Sequence, residues 1–183
     1  MDTLLKGLGT YDLLLNLIPG LIFIGLAPND LFDIVATDNM ILLGAVAFFI
    51  GCMINRIGSV GVELVMQKTK LVQYVNYEKY LRAERIEHNA GQVELQALVR
   101  KNILYRTLAA LCFCLSIMRY YSANVWCTVS FISLSGLRWH FQVLILDNLF
   151  YWIFMILFLK AFIKQTDYIR ARVNYILEKR PEA

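Results

Sequence analysis

The sequence predicts an all-α, polytopic membrane protein with four transmembrane helices and a cytoplasmic helical hairpin. Of its 183 residues, 58% are hydrophobic, whereas soluble domains contain roughly 45–50% apolar residues. The apolar residues are concentrated in four blocks, and a block of about 20 such residues is long enough to cross a bilayer. The length of the chain leaves room for a single membrane domain with one polar element between its spans.

The apolar blocks give the positions of the spans. The four predicted spans lie near residues 11–27, 39–66, 103–119 and 143–163. Pro28 ends the first span, and the second is long enough to cross with tilt or to continue beyond the bilayer. An apolar patch, Val125–Leu137, precedes the fourth span and has three interpretations: an extension of the third span, a re-entrant piece or a short hairpin.

The largest polar segment, residues 67–102, predicts a helical hairpin between spans two and three. Leu71–Glu87 has a helical pattern, and His88–Gly91 breaks it with Gly91 as a C-terminal cap. A second helix is expected to start near Gln92 and to run unbroken into the third span. Residues 164–183 form a basic, amphipathic tail.

The distribution of basic residues predicts the orientation of the chain. The loop after span one has no Lys or Arg, and the loop after span three has only Arg119 and Arg138. Because basic residues favour the cytoplasmic side, we expect the hairpin, the tail and both termini in the cytoplasm. The net charge of +4 is too mild to indicate direct binding of nucleic acid.

Polar and helix-breaking residues interrupt the first span. Pro19 removes a backbone hydrogen bond and kinks the helix, Gly20 allows close approach, and Asn16 lies on a similar face. These residues fit a kink that packs against a neighbouring helix, which we favour because Pro and Gly are common in membrane helices. The alternative is a broken helix that lines a site or a pore.

Small residues form a stripe along the second span. They recur at spacings of three and four, which allows another helix to approach closely, and the asparagine among them can hydrogen-bond across. The neighbouring helix belongs either to the same chain or to another copy. The stripe consists of Gly44, Ala47, Gly51, Asn55 and Gly58.

Charged residues also occur within or beside the spans. Arg56 and Glu63 are seven residues apart, which places them on one face about 10 Å apart along the axis. They either contact the bundle, with Arg56 reaching the headgroups, or take part in conduction or sensing. Asp147 caps the fourth span, pairs with a nearby arginine or forms a buried charge, and Arg106 meets lipid phosphates or Glu63.

The sequence predicts no catalytic residue, metal site or cofactor. The four cysteines have no CxxC spacing, and neither histidine has a second ligand at metal-binding spacing. No nucleophile motif, phosphate-binding loop or paired carboxylate set is present. A non-enzymatic protein is therefore expected; an intramembrane enzyme, which would depend on a residue such as Asp147, is a third alternative.

The hairpin carries aromatic and basic residues that the membrane alone does not require. Such residues often anchor protein interfaces, so they predict a docking surface for a soluble protein. The alternative is that the hairpin packs on itself and on the tail. The candidate docking residues are Tyr74, Tyr77, Tyr80, Arg82 and Arg85.

Three segments carry a resemblance: "YDLLLNLIPGLIF", "FFIGCMINRIGSVGVE" and "YRTLAAL". They resemble segments of small four-span bacterial inner-membrane proteins of anti-phage defence loci, the Kiwa membrane component among them. The resemblance implies a multi-pass protein of the bacterial inner membrane that works with a soluble partner and forms a homo-oligomer.

These observations together predict a membrane-embedded scaffold or sensor that self-associates and docks a soluble cytoplasmic effector in antiviral defence. The alternative is a pore-forming or membrane-depolarising effector. In that case Asn16, Asn55, Arg56 and Glu63 would line a water path.

Overall fold

A computed structural model of the chain describes residues 10–27, 40–89, 94–129 and 137–179, with side chains for 13–27, 40–89, 94–120 and 148–179. Apart from residue 27 and residues 69–76, these residues are helical, and they contain no strand, so the predicted all-α class is confirmed for this part of the chain. The elements are α1 (Thr10–Leu26), α2 (Met40–Ile57), a π-helical segment (Gly58–Val62), α3 (Glu63–Lys68), α4 (Tyr77–Asn89), α5 (Glu94–Val129) and α6 (Leu137–Lys179).

Three of the described helical stretches are long and apolar enough to span a membrane, where the sequence predicts four. They are Met40–Lys68, Glu94–Tyr120 and Asn148–Lys179. The apolar part of α1, Leu13–Leu26, is shorter, so its crossing stays a prediction. Large apolar side chains such as Phe49, which is 73% exposed, cover the outer faces, and a lipid environment accounts for them.

The bundle consists of two antiparallel helix pairs that pack against each other. α1 lies along α2, α5 lies along α6, and α2 contacts α5. Consecutive elements thus pair with each other, as short connections favour. The core between the pairs is the cluster Ile54, Ala110, Leu111, Leu115 and Tyr151.

The crossing of α1 and α2 is a backbone-to-backbone contact at two points. A Cβ atom on Gly20 would overlap the Ala47 carbonyl, and one on Gly51 would overlap the Asn16 carbonyl. The predicted stripe therefore packs within the chain at Ala47, which is fully buried, and at Gly51. Gly44 is different: a Cβ there meets nothing of this chain within 4 Å, so its packing against a helix of another copy stays a prediction.

A small module, here called the head, is formed by α4 and by the parts of α5 and α6 on which it packs (residues 94–99 and 165–179). Its core contains Ala83, Ile86, Leu95, Ile169, Val173 and Ile176. Glu87 is only 4% exposed; its Oε2 accepts from the Leu95 amide at 2.8 Å and its Oε1 pairs with Arg172 Nη2 at 3.0 Å. One carboxylate thus joins α4, the start of α5 and α6.

The linker between α3 and α4 is not helical, although the pattern from Leu71 predicts helix there. Lys70 has a φ of 56°, a left-handed conformation that ends α3. The Thr69 hydroxyl donates to the Val65 carbonyl at 2.8 Å, and the Asn76 carboxamide accepts from the Glu78 amide at 3.1 Å, which caps α4. Local side-chain hydrogen bonds therefore override the helical pattern before Tyr77.

Two helices continue beyond the predicted spans. α5 begins at Glu94 and α6 ends at Lys179, so the predicted unbroken helix from the hairpin into the third span is confirmed. In the apolar patch, the backbone of residues 125–129 belongs to α5, in agreement with an extension of the span. Residues 130–136 lie outside the described residues.

Candidate functional site

A chain of polar side chains crosses the bundle between α1, α2 and α5. Asn55 is its centre: its Nδ2 donates to Asn16 Oδ1 at 3.1 Å. Its Oδ1 accepts from Arg106 Nη2 at 3.1 Å and lies 3.1 Å from the Thr107 hydroxyl. The hydroxyl also donates to the Ile103 carbonyl at 2.8 Å. The close crossing at Gly51, one turn from Asn55, brings the two asparagines within bonding distance.

Arg106 fixes the orientation of this chain of hydrogen bonds. A guanidinium only donates, so the Asn55 atom that faces it must be the carbonyl oxygen. The Asn55 NH₂ group must then face α1, where Asn16 presents its own oxygen. The hydrogen bonds therefore all run in one direction: Arg106 on α5 donates to Asn55 on α2, and Asn55 donates to Asn16 on α1.

The second partner of Arg106 is Glu63, the first residue of α3. Arg106 Nη1 and Glu63 Oε1 form an ion pair, and their side chains are 12% and 27% exposed. Arg106 Nε is buried and has no hydrogen-bond partner among the described residues. The guanidinium thus bonds through both terminal nitrogens, which limits the cost of placing its charge inside the bundle.

The π-helical segment positions the ion pair. At its start, a Cβ on Gly58 would lie 3.2 Å from the Arg106 carbonyl, so α2 and α5 are in close contact at this level. Its end places Glu63 beside Arg106. π-helical turns inside α-helices are rare and occur often at functional sites, which makes this region the candidate functional site.

Tyr74, in the linker, lies close enough to the ion pair to respond to its charges. Burial, together with the Glu63 carboxylate and against the opposing effect of Arg106, raises the pKa of Tyr74 from 10.0 to about 12. The side chain is still 41% exposed. Tyr74 therefore lies within electrostatic range of the Glu63–Arg106 pair, in the segment that leads to the head.

This pKa shift predicts an alkaline loss of stability that depends on Tyr74. The folded pKa of about 12 exceeds the unfolded value of 10.0, so the contribution of the neutral phenol is complete below pH 10 and is lost as the pH rises towards 12. We expect Tyr74→Phe, which cannot ionise, to lose thermal stability less steeply than the wild type between pH 10 and pH 12. Identical slopes for the two proteins would contradict the burial of the Tyr74 phenol in the folded chain.

The charged residues that the sequence singled out in or beside the spans have different surroundings in the structure. Arg56 is exposed on α2, which agrees with a side chain that reaches the headgroups, and its role in a pore stays a prediction. The predicted shared face of Arg56 and Glu63 is wrong. The extra residue of the π-helical segment turns Glu63 towards Arg106 instead. The side chain of Asp147 lies outside the described residues, although its backbone belongs to α6.

The predicted docking residues have different surroundings. Tyr77 is 70% exposed and Arg85 is exposed, as is Arg82. Tyr80 packs against the core of the head, and burial, followed by the nearby Glu84 carboxylate, raises its pKa. Its role as a surface contact is therefore at most partial.

Sequence reasoning missed three residues of these networks: Thr107, Glu87 and Arg172. Thr107 is fully buried in an apolar helix, where a hydroxyl often bonds to the carbonyl one turn earlier and gives no distinct signal. Arg172 Nη2 also contacts Glu94 at 2.7 Å. Glu87 and Arg172 are 85 positions apart, so the sequence around either residue gives no signal of their ion pair.

Two further polar contacts lie towards the other end of the bundle. The Ser116 hydroxyl is 3.3 Å from Asn148 Oδ1, which joins α5 to α6. Arg119 Nη2 lies 3.4 Å from the Leu26 carbonyl, where a cation is favourable at the C-terminus of α1.

The charged groups of this region contact each other, and no metal-binding cluster lies among the described residues. Among the residues that the structure describes, no group of three or more His, Cys, Asp or Glu side chains could hold a metal ion. The carboxylate of Glu63 and the guanidinium of Arg106 are engaged with each other. Searches with the whole chain against protein-family models, curated proteins and solved structures gave no match.

Proposed function

We propose that the chain is a non-enzymatic, membrane-embedded scaffold or sensor that self-associates and docks a soluble cytoplasmic effector. The resemblance to components of anti-phage defence loci makes bacterial antiviral defence the context of this proposal. The proposal implies a multi-pass protein of the inner membrane with both termini and the head in the cytoplasm.

The observation that carries the proposal is the continuity between the membrane bundle and the head. α5 and α6 each run without interruption from the apolar region into the head, and α4 is fastened to both by the core cluster and by the Glu87–Arg172 pair. A change in the packing of the bundle therefore reaches the head through continuous helices. This is the property that a sensor with a cytoplasmic output requires.

The exposed side of α4 supports a docking role. Tyr77, Glu84 and His88 lie on one face, and Arg85 is adjacent to it. An open depression of about 400 Å³ lies beside them, lined by Leu81, Glu84, Arg85, His88, Asn89 and Gln96. Exposed Tyr and Arg side chains are common anchors of protein interfaces.

Docking predicts the loss of a bound protein on mutation of this face. The tagged chain is purified in mild detergent from its source cells, and the complex is sized and its proteins are identified. We expect a large complex with a soluble protein, and an at least tenfold loss of that protein with Tyr77→Ala combined with Arg85→Ala, because interface anchors contribute about 2 kcal/mol or more. Tyr168→Ala is the matched control, because Tyr168 is 52% exposed on α6 and does not line this depression.

A monomeric protein that retains no cytosolic protein would refute the proposal. A homo-oligomer without a partner would favour the second candidate, a pore-forming or depolarising effector, which the polar chain from Asn16 to Arg106 supports. Ion flux into liposomes is then the deciding measurement. A pore requires that Glu63→Ala or Arg56→Ala changes conductance.

A further inference from the structure

The second span contains one residue more than a continuous α-helix needs between Ile57 and Glu63. In the π-helical segment, the Glu63 amide donates to the Gly58 carbonyl, five residues earlier, whereas an α-helix uses the carbonyl four residues earlier. Ile57 and Glu63 both have right-handed helical backbone angles. The segment is therefore a one-residue insertion between two regular helices.

Absorbing this insertion into regular α-helix would turn the residues that follow it. Each of them would rotate by about 100° and advance by about 1.5 Å relative to α2. Glu63 would leave Arg106, and Val62 would take its position. Met66, which packs with Phe162 of α6, would be replaced there by Val65.

The surroundings of the segment differ on its two sides. Gly58 is buried, and a Cβ there would lie 3.2 Å from the Arg106 carbonyl. Gly61 is exposed, and a Cβ there would meet nothing within 4 Å. The inner side is thus held against α5, while the outer side has space for the backbone to rearrange.

We propose that the second span is a register switch with two states. In the resting state the π-helical segment is present and Glu63 is paired with Arg106. In the other state the segment is regular α-helix, Arg106 has lost Glu63, and the linker 69–76 that leads to α4 is rotated. The use of this switch in signalling rests on the proposed function, whereas the switch itself is a property of the isolated chain.

The ion pair determines which state is populated. In the second state the apolar Val62 lies beside the Arg106 guanidinium, and a buried charge without its partner is costly. Removing the charge of Glu63 takes away this preference for the resting state. Glu63→Gln is therefore the variant that should populate the second state, because it keeps the size of the side chain.

The exposure of two adjacent residues reports the register. Val65 is 54% exposed and Met66 is 7% exposed, so a cysteine at 65 should react with a thiol reagent faster than one at 66. The full chain in membranes is used, with Cys52, Cys112, Cys114 and Cys127 replaced by alanine, and either Val65→Cys or Met66→Cys is introduced. With Glu63→Gln we expect the ratio of the two rates to invert: residue 66 becomes more reactive and residue 65 less reactive.

Deletion of Gly61 tests the same inference in the opposite direction. The deletion removes the extra residue, so a regular α-helix now holds Glu63 and all following residues in their resting orientation. Combined with Glu63→Gln, it should restore the wild-type ratio of rates at positions 65 and 66. Glu78→Gln, which neutralises an exposed acid on α4, is the control and should leave the ratio unchanged.

Each other outcome overturns the register switch. An unchanged ratio in Glu63→Gln shows that the ion pair does not control the register. Faster reaction at both positions indicates local unfolding, and failure of the Gly61 deletion to restore the ratio shows that the extra residue is not the moving part. Because no partner protein takes part in the labelling, a negative docking experiment leaves this test intact.

Discussion

Gly51→Ala is expected to destabilise the bundle strongly. The added Cβ would overlap the Asn16 carbonyl, and a backbone atom cannot move aside as a flexible side chain can. The crossing of α1 and α2 must therefore open, which also separates Asn55 from Asn16. Overpacking of this kind costs about 1–3 kcal/mol, and the added loss of a hydrogen bond of about 1 kcal/mol gives an expected loss of about 3 kcal/mol.

Gly44→Ala is the matched control on the same helix. A Cβ at this position meets nothing within 4 Å, and Ala is the better helix former by about 0.5–1 kcal/mol. The two substitutions should thus change the free energy of unfolding in opposite directions, measured by denaturant titration of the detergent-purified protein. Equal effects would show that α1 and α2 do not cross at Gly51.

Glu87→Ala is expected to release α4 from the parts of α5 and α6 on which it packs. The substitution leaves the Leu95 amide and one side of the Arg172 guanidinium without their acceptor. Loss of one partner from a buried ion pair costs about 3–5 kcal/mol. Arg172 is 26% exposed and retains Glu94, so we expect a loss of about 3 kcal/mol, measured as increased hydrogen exchange of the α4 amides.

The neighbouring pair of Arg172 provides the control. Glu94 is 65% exposed, and exposed ion pairs contribute at most about 1 kcal/mol. Glu94→Ala should therefore leave the exchange of α4 nearly unchanged, although it removes a contact to the same arginine. If both variants release α4 equally, the buried carboxylate is not what fastens the head.

The sequence predicted the helical class well because apolar blocks of this length have few other solutions. It also singled out Asn16 and Asn55 separately, from their position inside apolar helices. Their hydrogen bond could not be predicted, since it depends on which helices are neighbours and on the approach that Gly20 and Gly51 allow. Single-helix patterns contain no information about that contact.

The charged residues show where sequence periodicity fails. Arg56 and Glu63 would share a face on a regular helix, but the π-helical segment adds one residue between them and changes the phase. Only the two glycines, Gly58 and Gly61, distinguish this segment in the sequence, and glycines are common in membrane helices. The burial of Glu87 depends on Arg172, which is 85 positions away, so no local pattern could have predicted it.

The pairing of consecutive helices has a consequence for the way the chain assembles. α1 with α2, and α5 with α6, are each connected along the chain, so each pair can form as soon as its second helix has been synthesised. Arg106 meets Asn55 and Glu63 only when the pair of α1 and α2 contacts α5. Until that step, α5 carries an unpartnered cation in an apolar environment, which is costly. A chain whose two pairs have not docked therefore differs from a correctly folded one in one chemical feature, which is an Arg106 guanidinium without its partners.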